Sequence, residues 1–355
     1  MSAARADRLV ERLAERELDS LLVTTLMNVR YLSGFTGTNG LCLIGPNERL
    51  FLTDFRYVER AETEVPDYER QRGRQDLLAD AAERLSGRVG FEDHHMSVRT
   101  HKRLEGLLPE GVELVPAGGV VEELRAVKEP GELRIMRDAA ALADAMYEYI
   151  QSRGLVGRTE REVAVDVERE MRERGAEDPS FPSIVAGGPH GALPHADPRD
   201  VRIEENTLVI VDMGCRVDGY CSDCTRTFAT GDLDDDAVSV YELVLAAQEE
   251  ALGAVRAGAD CRAVDAVARD RIAAAGYGER FGHGLGHGVG LEVHEAPRLA
   301  QTAEGSLLTG NAVTVEPGVY VPGAFGVRIE DLVVVTDDGS EVLSHFPKSL
   351  ITLGA

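Results

Sequence analysis

The apolar run in "TLVIVDMG" ends on Asp212, and the segment that follows, "CRVDGYCSDCTRTF", combines turn residues with the β-branched content of a returning strand. If the turn centres between Val217 and Asp218, Asp212 faces Asp223 directly. A turn on Asp218-Gly219 moves the pairing by two, and both carboxylates still leave the same face because side chains alternate with period two. Like charges across a hairpin destabilise it, so something has to compensate. A solvent face would tolerate the pair, yet Asp212 closes "LVIV", where a buried strand ordinarily places a hydrophobe. The construction recurs in "TVEPGVYVPGAFGVRIEDLVVV": with its turn centred on Gly323, Glu316 and Glu330 share a face.

Two acidic hairpins in one half of a chain imply a cation. A third segment, "HGLGHGVGLEVHE", supplies imidazoles at His283, His287 and His294 among four glycines that let other backbone approach closely. Four carboxylates and one imidazole carry a charge of about −4, which matches two divalent ions. A donor set of hard oxygens with one nitrogen favours manganese or cobalt over a thiolate zinc site. Two such ions ~3.5–4 Å apart act together as Lewis acids.

The 355 residues allow two domains. Residues 1–125 alternate short apolar runs with helical stretches, which predicts a small α/β domain. A charged segment with Pro130 and Gly131 marks the boundary, and residues 126–355 read as mixed α+β. Within them Thr159 and Glu162 form a capping-box pattern with a stop at Gly175, and further helices are predicted over 236–257 and 260–275. The fold class is therefore α+β with a smaller α/β domain in front.

A net charge of −24 argues against a nucleic-acid partner. No apolar run approaches the ~18 residues of a membrane span, and the charged start "MSAARADRLVERLAERE" points to a cytoplasmic protein. Five scattered cysteines do not suggest a disulfide framework, and the CxxC of "CSDC" has no second pair to complete a zinc ribbon.

Taken in order, "VDMGCRVDGYCSDCTRTF", "HGLGHGVGLEVHE", "TVEPG" and "VRIED" resemble the metal motifs of the creatinase/aminopeptidase/prolidase family, and specifically of its Xaa-Pro peptidases. The N-terminal "NVRYLSGFTGTNG" and "LTDFRY" resemble the auxiliary domain of those enzymes. Methionine aminopeptidases lack that domain, and creatinase lacks the metal ligands. The resemblance implies a pita-bread catalytic domain with two divalent ions, Mn²⁺ favoured and Co²⁺ or Zn²⁺ possible, held by Asp212, Asp223, His287, Glu316 and Glu330. It implies hydrolysis of the bond preceding proline at a peptide's N-terminus, with Glu316 handling the proton and His294 and His195 (in "SIVAGGPHGALPH") lining the substrate site. It also assigns Arg328 to the substrate site as a brace for the metal ligands, Arg298 (in "HEAPRLAQ") to a dipeptide's free carboxylate, and a homodimer. His283 is expected to be structural. Two alternatives stand beside a dipeptidase: an aminopeptidase acting on longer Xaa-Pro peptides, and an inert scaffold of the same shape, which stoichiometric metal would exclude.

Overall fold

The computed structural model describes residues 2–74 and 76–354. The chain divides into two compact units, Met1–Arg125 and Ala126–Ala355. No helix among the described residues is long and apolar enough to cross a membrane.

The first unit is built on a six-stranded mixed sheet. Its strands are β1 (Ser20–Val23), β2 (Gly40–Gly45), β3 (Glu48–Thr53), β4 (Glu69–Arg72), β5 (Arg88–Phe91) and β6 (Glu113–Pro116), in the order β4-β3-β2-β1-β5-β6. β1, β2 and β3 pair antiparallel in sequence, whereas β4, β5 and β6 join parallel. The two central strands, β1 and β2, are buried throughout, and Leu22, Leu43, Leu50 and Leu52 share a core with Val89, Ala81 and Leu104.

The second unit uses one plan twice: two helices, then a hairpin. Helices Pro130–Arg153 and Glu160–Glu173 precede a first set of strands: β7 (Asp178–Pro179), β8 (Ile184–Gly187), β9 (Leu208–Met213), β10 (Cys215–Val217), β11 (Tyr220–Cys221) and β12 (Cys224–Ala229). Helices Asp235–Ala254 and Cys261–Ala274 precede a second set: β13 (Gly286–Gly288), β14 (Glu295–Leu299), β15 (Ala312–Val315), β16 (Gly318–Val321), β17 (Phe325–Arg328), β18 (Asp331–Val335) and β19 (Ser340–Val342). Each helix pair buries an apolar stripe with its own sheet. Met146, Tyr147, Val163 and Val167 pack with Val209, Val211 and Phe228, while Val240, Val244, Val264 and Ala268 pack with Val313, Val315 and Val333. The hairpins are thereby left at the centre of the unit.

Local signals act as elementary chemistry requires. Thr159 Oγ1 accepts from the Glu162 N–H at 3.0 Å and Glu162 Oε2 accepts from the Thr159 N–H at 2.7 Å, closing the capping box that starts helix Glu160–Glu173. Gly175 follows the helix end at φ +105°. The two long helices of the second half run Asp235–Ala254 and Cys261–Ala274, within three residues of the expected ends.

Candidate metal centre

In the first hairpin the turn falls on Asp218-Gly219: Val217 pairs with Tyr220, and Thr225 pairs with Asp212. Asp223 therefore lies diagonal to Asp212 and on its face. The returning segment, expected as one strand, is broken at Ser222 and Asp223. There the Cys215 N–H is taken by the Ser222 hydroxyl at 3.0 Å, and the backbones close so tightly that a Cβ on Gly214 would overlap the Ser222 carbonyl. In the second hairpin Gly318 pairs with Arg328 and Val315 with Asp331, so the register is continuous around Gly323 and places Glu316 opposite Glu330. Its strands too are interrupted, at Glu316-Pro317 and Ile329-Glu330. Pro317 cannot donate to a ladder, and the freed amides turn elsewhere: Glu316 N–H donates to Leu285 O at 2.8 Å and Glu330 N–H to Thr225 O at 3.1 Å. The last of these bonds ties one hairpin to the other.

Asp212, Asp223 and Glu330 each present a carboxylate oxygen within 4.8 Å of the other two, and all three are buried. His287 Nε2 lies 3.2 Å from Glu316 Oε1 and 3.7 Å from Asp223 Oδ2, which joins the remaining imidazole and carboxylate to the cluster. His287 Nδ1 lies 3.0 Å from Gly288 O, a partner that can only accept. Nδ1 therefore carries the proton, and in the neutral ring Nε2 keeps a free lone pair toward the carboxylates. Its strand, β13, runs between β14 and β15. That is possible because a Cβ on Gly286 would overlap the Thr314 carbonyl and one on Gly288 the Ala296 carbonyl.

The electrostatics are those of an uncompensated acidic cluster. Burial, followed by repulsion from Glu330, Asp212 and Glu316, pushes the Asp223 carboxyl well above its usual range; burial and then Glu316 and Asp212 do the same to Glu330. Burial raises Asp212 as well, against the opposing pull of Arg328. At Glu316 burial is outweighed by the His287 hydrogen bond and charge, which bring the carboxyl down to about 2. Asp212 Oδ1 and Glu330 Oε1 are buried with no hydrogen-bond partner in the protein. Orphaned anionic oxygens are costly in an interior, and converging on one point they fit a divalent cation. The donor set suits a hard metal.

Arg328 is buried and spends its donors inside the protein. It reaches Asp212 Oδ2 at 2.7 Å, Thr225 Oγ1 at 3.0 Å, Tyr320 Oη at 2.9 Å and the Pro194 carbonyl at 3.1 Å. The Thr225 hydroxyl donates in turn to Glu330 Oε2 at 2.6 Å, and Thr314 donates to Glu316 Oε1 at 3.0 Å. Arg328 is thus a brace behind the carboxylates. His283 ends a chain from that brace: its Nε2 lies 2.9 Å from Tyr320 Oη and its Nδ1 2.8 Å from Gly284 O. Sequence reasoning passed over Thr225, Thr314 and Tyr320. The two threonines were findable, since each stands two residues from an acidic position and so shares its face; Tyr320 carried no such signal.

At the rim, His294 is exposed, with its ring centroid 4.4 Å from that of His287 in an edge-on contact. Partial desolvation, then the charge of His287, lowers its pKa, so it is neutral near pH 7. His195 is exposed on the loop after the short 3₁₀ turn Gly188–Ala192, close enough for its charge to act on both His283 and His294. Arg298 is the direct ladder partner of His287 across β13 and β14, which puts both side chains on one face of the sheet.

The chain belongs to metallopeptidase family M24, whose model matches residues 134–337; the creatinase/prolidase N-terminal domain matches residues 5–127. It is thus a metallopeptidase with a pita-bread catalytic domain behind an auxiliary domain. Among solved structures, the Xaa-Pro dipeptidase from Bacillus anthracis is 40% identical, with a TM-score of 0.97 and coverage of 99% of this chain and 100% of that one. The X-Pro aminopeptidase from Thermotoga maritima MSB8 is 33% identical with a TM-score of 0.90, covering 98% and 100% of the two chains. The Xaa-Pro dipeptidase of Pyrococcus horikoshii is 34% identical over 352 residues, 98% of each chain.

Proposed function

We propose that this metallopeptidase hydrolyses the N-terminal Xaa-Pro bond of dipeptides, with two divalent ions, manganese by preference, held by Asp212, Asp223, His287, Glu316 and Glu330. The observation that carries the reading is the convergence of three buried carboxylates within 4.8 Å with unpartnered oxygens on Asp212 and Glu330. Bound ions supply Lewis acidity to the scissile carbonyl and to an attacking water. The residues do the rest. Neutral His294 donates a hydrogen bond to the carbonyl oxygen as charge develops there. Glu316, which accepts a hydrogen bond from Thr314, receives a proton and delivers it to the prolyl nitrogen, which needs it because a tertiary amide leaves poorly as an anion. His195 faces the substrate beside His294, and Arg298 pairs with the free carboxylate of a dipeptide.

The cytoplasmic assignment is supported by five cysteines that are all free and buried. The homodimer is proposed from the family resemblance, and sedimentation measures it. The substrate test compares an Xaa-Pro dipeptide with an Xaa-Pro-Yaa tripeptide, before and after chelation and with Mn²⁺ restored. Activity should vanish in chelator and return with Mn²⁺. Arg298→Ala should raise KM for the dipeptide by roughly one to two powers of ten, the worth of a charge-assisted hydrogen bond, while changing the tripeptide less. Equal losses on both substrates would shift the assignment to an aminopeptidase for longer peptides.

A further inference from the structure

Glu160 opens the helix Glu160–Glu173 and is 2% exposed, and its carboxylate bonds to Gly187, His190 and Arg199, none of them assigned to the metal centre. Its two oxygens are saturated. Oε1 meets the Gly187 N–H at 3.0 Å, His190 Nδ1 at 3.1 Å and Arg199 Nη2 at 3.1 Å; Oε2 meets His190 Nδ1 at 2.9 Å, the Arg199 N–H at 3.0 Å and Arg199 Nε at 3.1 Å. Burial works against its charge, but the Arg199 guanidinium, the two amides and His190 outweigh it and hold the carboxyl below its usual value.

These partners are the two ends and an interior point of a single segment, 187–199, and that segment carries His195. Its inner side is fixed separately. The Pro194 carbonyl accepts from Arg328, the same arginine that holds Asp212, and Gly191 packs so closely on β17 that a Cβ on Gly326 would overlap the Gly191 carbonyl. A loop of this length would otherwise sample many conformations, whereas a group acting on substrate has to be held to within ~0.5 Å. A buried carboxylate is a poor way to gain stability, but it is an effective way to fix two loop ends at once.

We propose that Glu160 is a positioning residue for the reaction: it clamps the 187–199 loop and so sets His195 against the substrate. The proposal rests on the reading of His195 as a substrate-facing group. A double-mutant cycle separates the two. The kcat and KM for an Xaa-Pro dipeptide, together with bound manganese, are measured for Glu160→Gln, His195→Ala and the double variant. Glu160→Gln should keep its metal and lose roughly 10- to 100-fold in kcat/KM, the cost of a misplaced group. It should add less than about twofold when His195 is already alanine, because residues acting as a unit are not additive. Full additivity overturns the proposal, as does metal lost in step with activity. Wild-type kinetics in His195→Ala instead sink the reading of His195, and the proposal with it. If Glu160→Gln folds poorly, Arg199→Ala carries the test, since it removes one half-exposed partner and leaves the carboxylate both amides and His190. A loss of roughly 3- to 10-fold that disappears in the His195→Ala background supports the proposal; an equal loss in both backgrounds overturns it.

Discussion

His287 and His294 differ in what their ring nitrogens meet. His287 has one nitrogen on the Gly288 carbonyl and the other among the carboxylates, a geometry that commits it to the cluster. His294 is exposed, and its lowered pKa keeps it neutral with an N–H to give. His294→Ala should therefore retain its metal and lose about 10²-fold in kcat, the usual cost of a missing oxyanion donor or proton carrier. Metal content and rate measured on the same sample decide this. If metal falls with rate, His294 is a ligand and the division between the two histidines is wrong.

At the scale of elements, the chain places most of its acidic site residues where strands break. Asp223, Glu316 and Glu330 all lie outside the regular ladder, and only Asp212 sits inside a strand. The glycines make the arrangement feasible by letting β13 run in contact with the Thr314 and Ala296 carbonyls. Gly286→Ala pushes a methyl into backbone that has no rotamer to yield, so it should cost ~1–3 kcal/mol, a fall of roughly 2–4 °C in Tm per kcal/mol at this domain size. It should also weaken metal binding, because His287 moves with its strand. Thermal unfolding with and without manganese measures both effects. An unchanged Tm and unchanged metal content would mean that the strand has room the structure does not show.

For the molecule as a whole, the cluster sets how stability depends on pH once metal is removed. Asp223 and Glu330 have folded-state values above the ordinary ~3.9 and ~4.3 of free side chains. Their contribution to the metal-free chain is complete below those ordinary values and is lost as pH rises through the folded ones. At His287 burial favours the neutral ring, but the Glu316 hydrogen bond and charge outweigh it and raise the pKa, so its contribution is complete below the ordinary ~6.5 of a free imidazole and likewise fades as pH rises through the folded value. Glu316, brought down to about 2, contributes oppositely, but that contribution is lost only in strong acid. Between pH 5 and pH 8 the metal-free protein should therefore lose Tm steadily. The manganese-loaded protein should not, because a cation compensates the charges that the folded chain otherwise has to keep apart. A gap between the two melting temperatures that stays constant over this range would contradict the assignment of these carboxylates to one buried cluster.

Much of this was legible in the sequence, because much of it is local. A capping box spans three residues, and Thr159 with Glu162 closes as their spacing requires. A hairpin relates residues through its turn, so period-two alternation places Asp212 with Asp223 and Glu316 with Glu330 before any coordinates exist. Alternation could not say which turn the first hairpin uses, since both registers keep the carboxylates on one face. Tertiary structure decided that, and it decided where the strands break, because the breaks follow from amides drawn to Leu285 and Thr225 on other strands. It alone revealed the Glu160 clamp on Gly187, His190 and Arg199, and the reach of Arg328 across 134 residues to Pro194. Sequence patterning encodes neighbours along a strand or helix; which distant polar group satisfies a buried charge is settled only when packing excludes water and leaves that charge one set of partners.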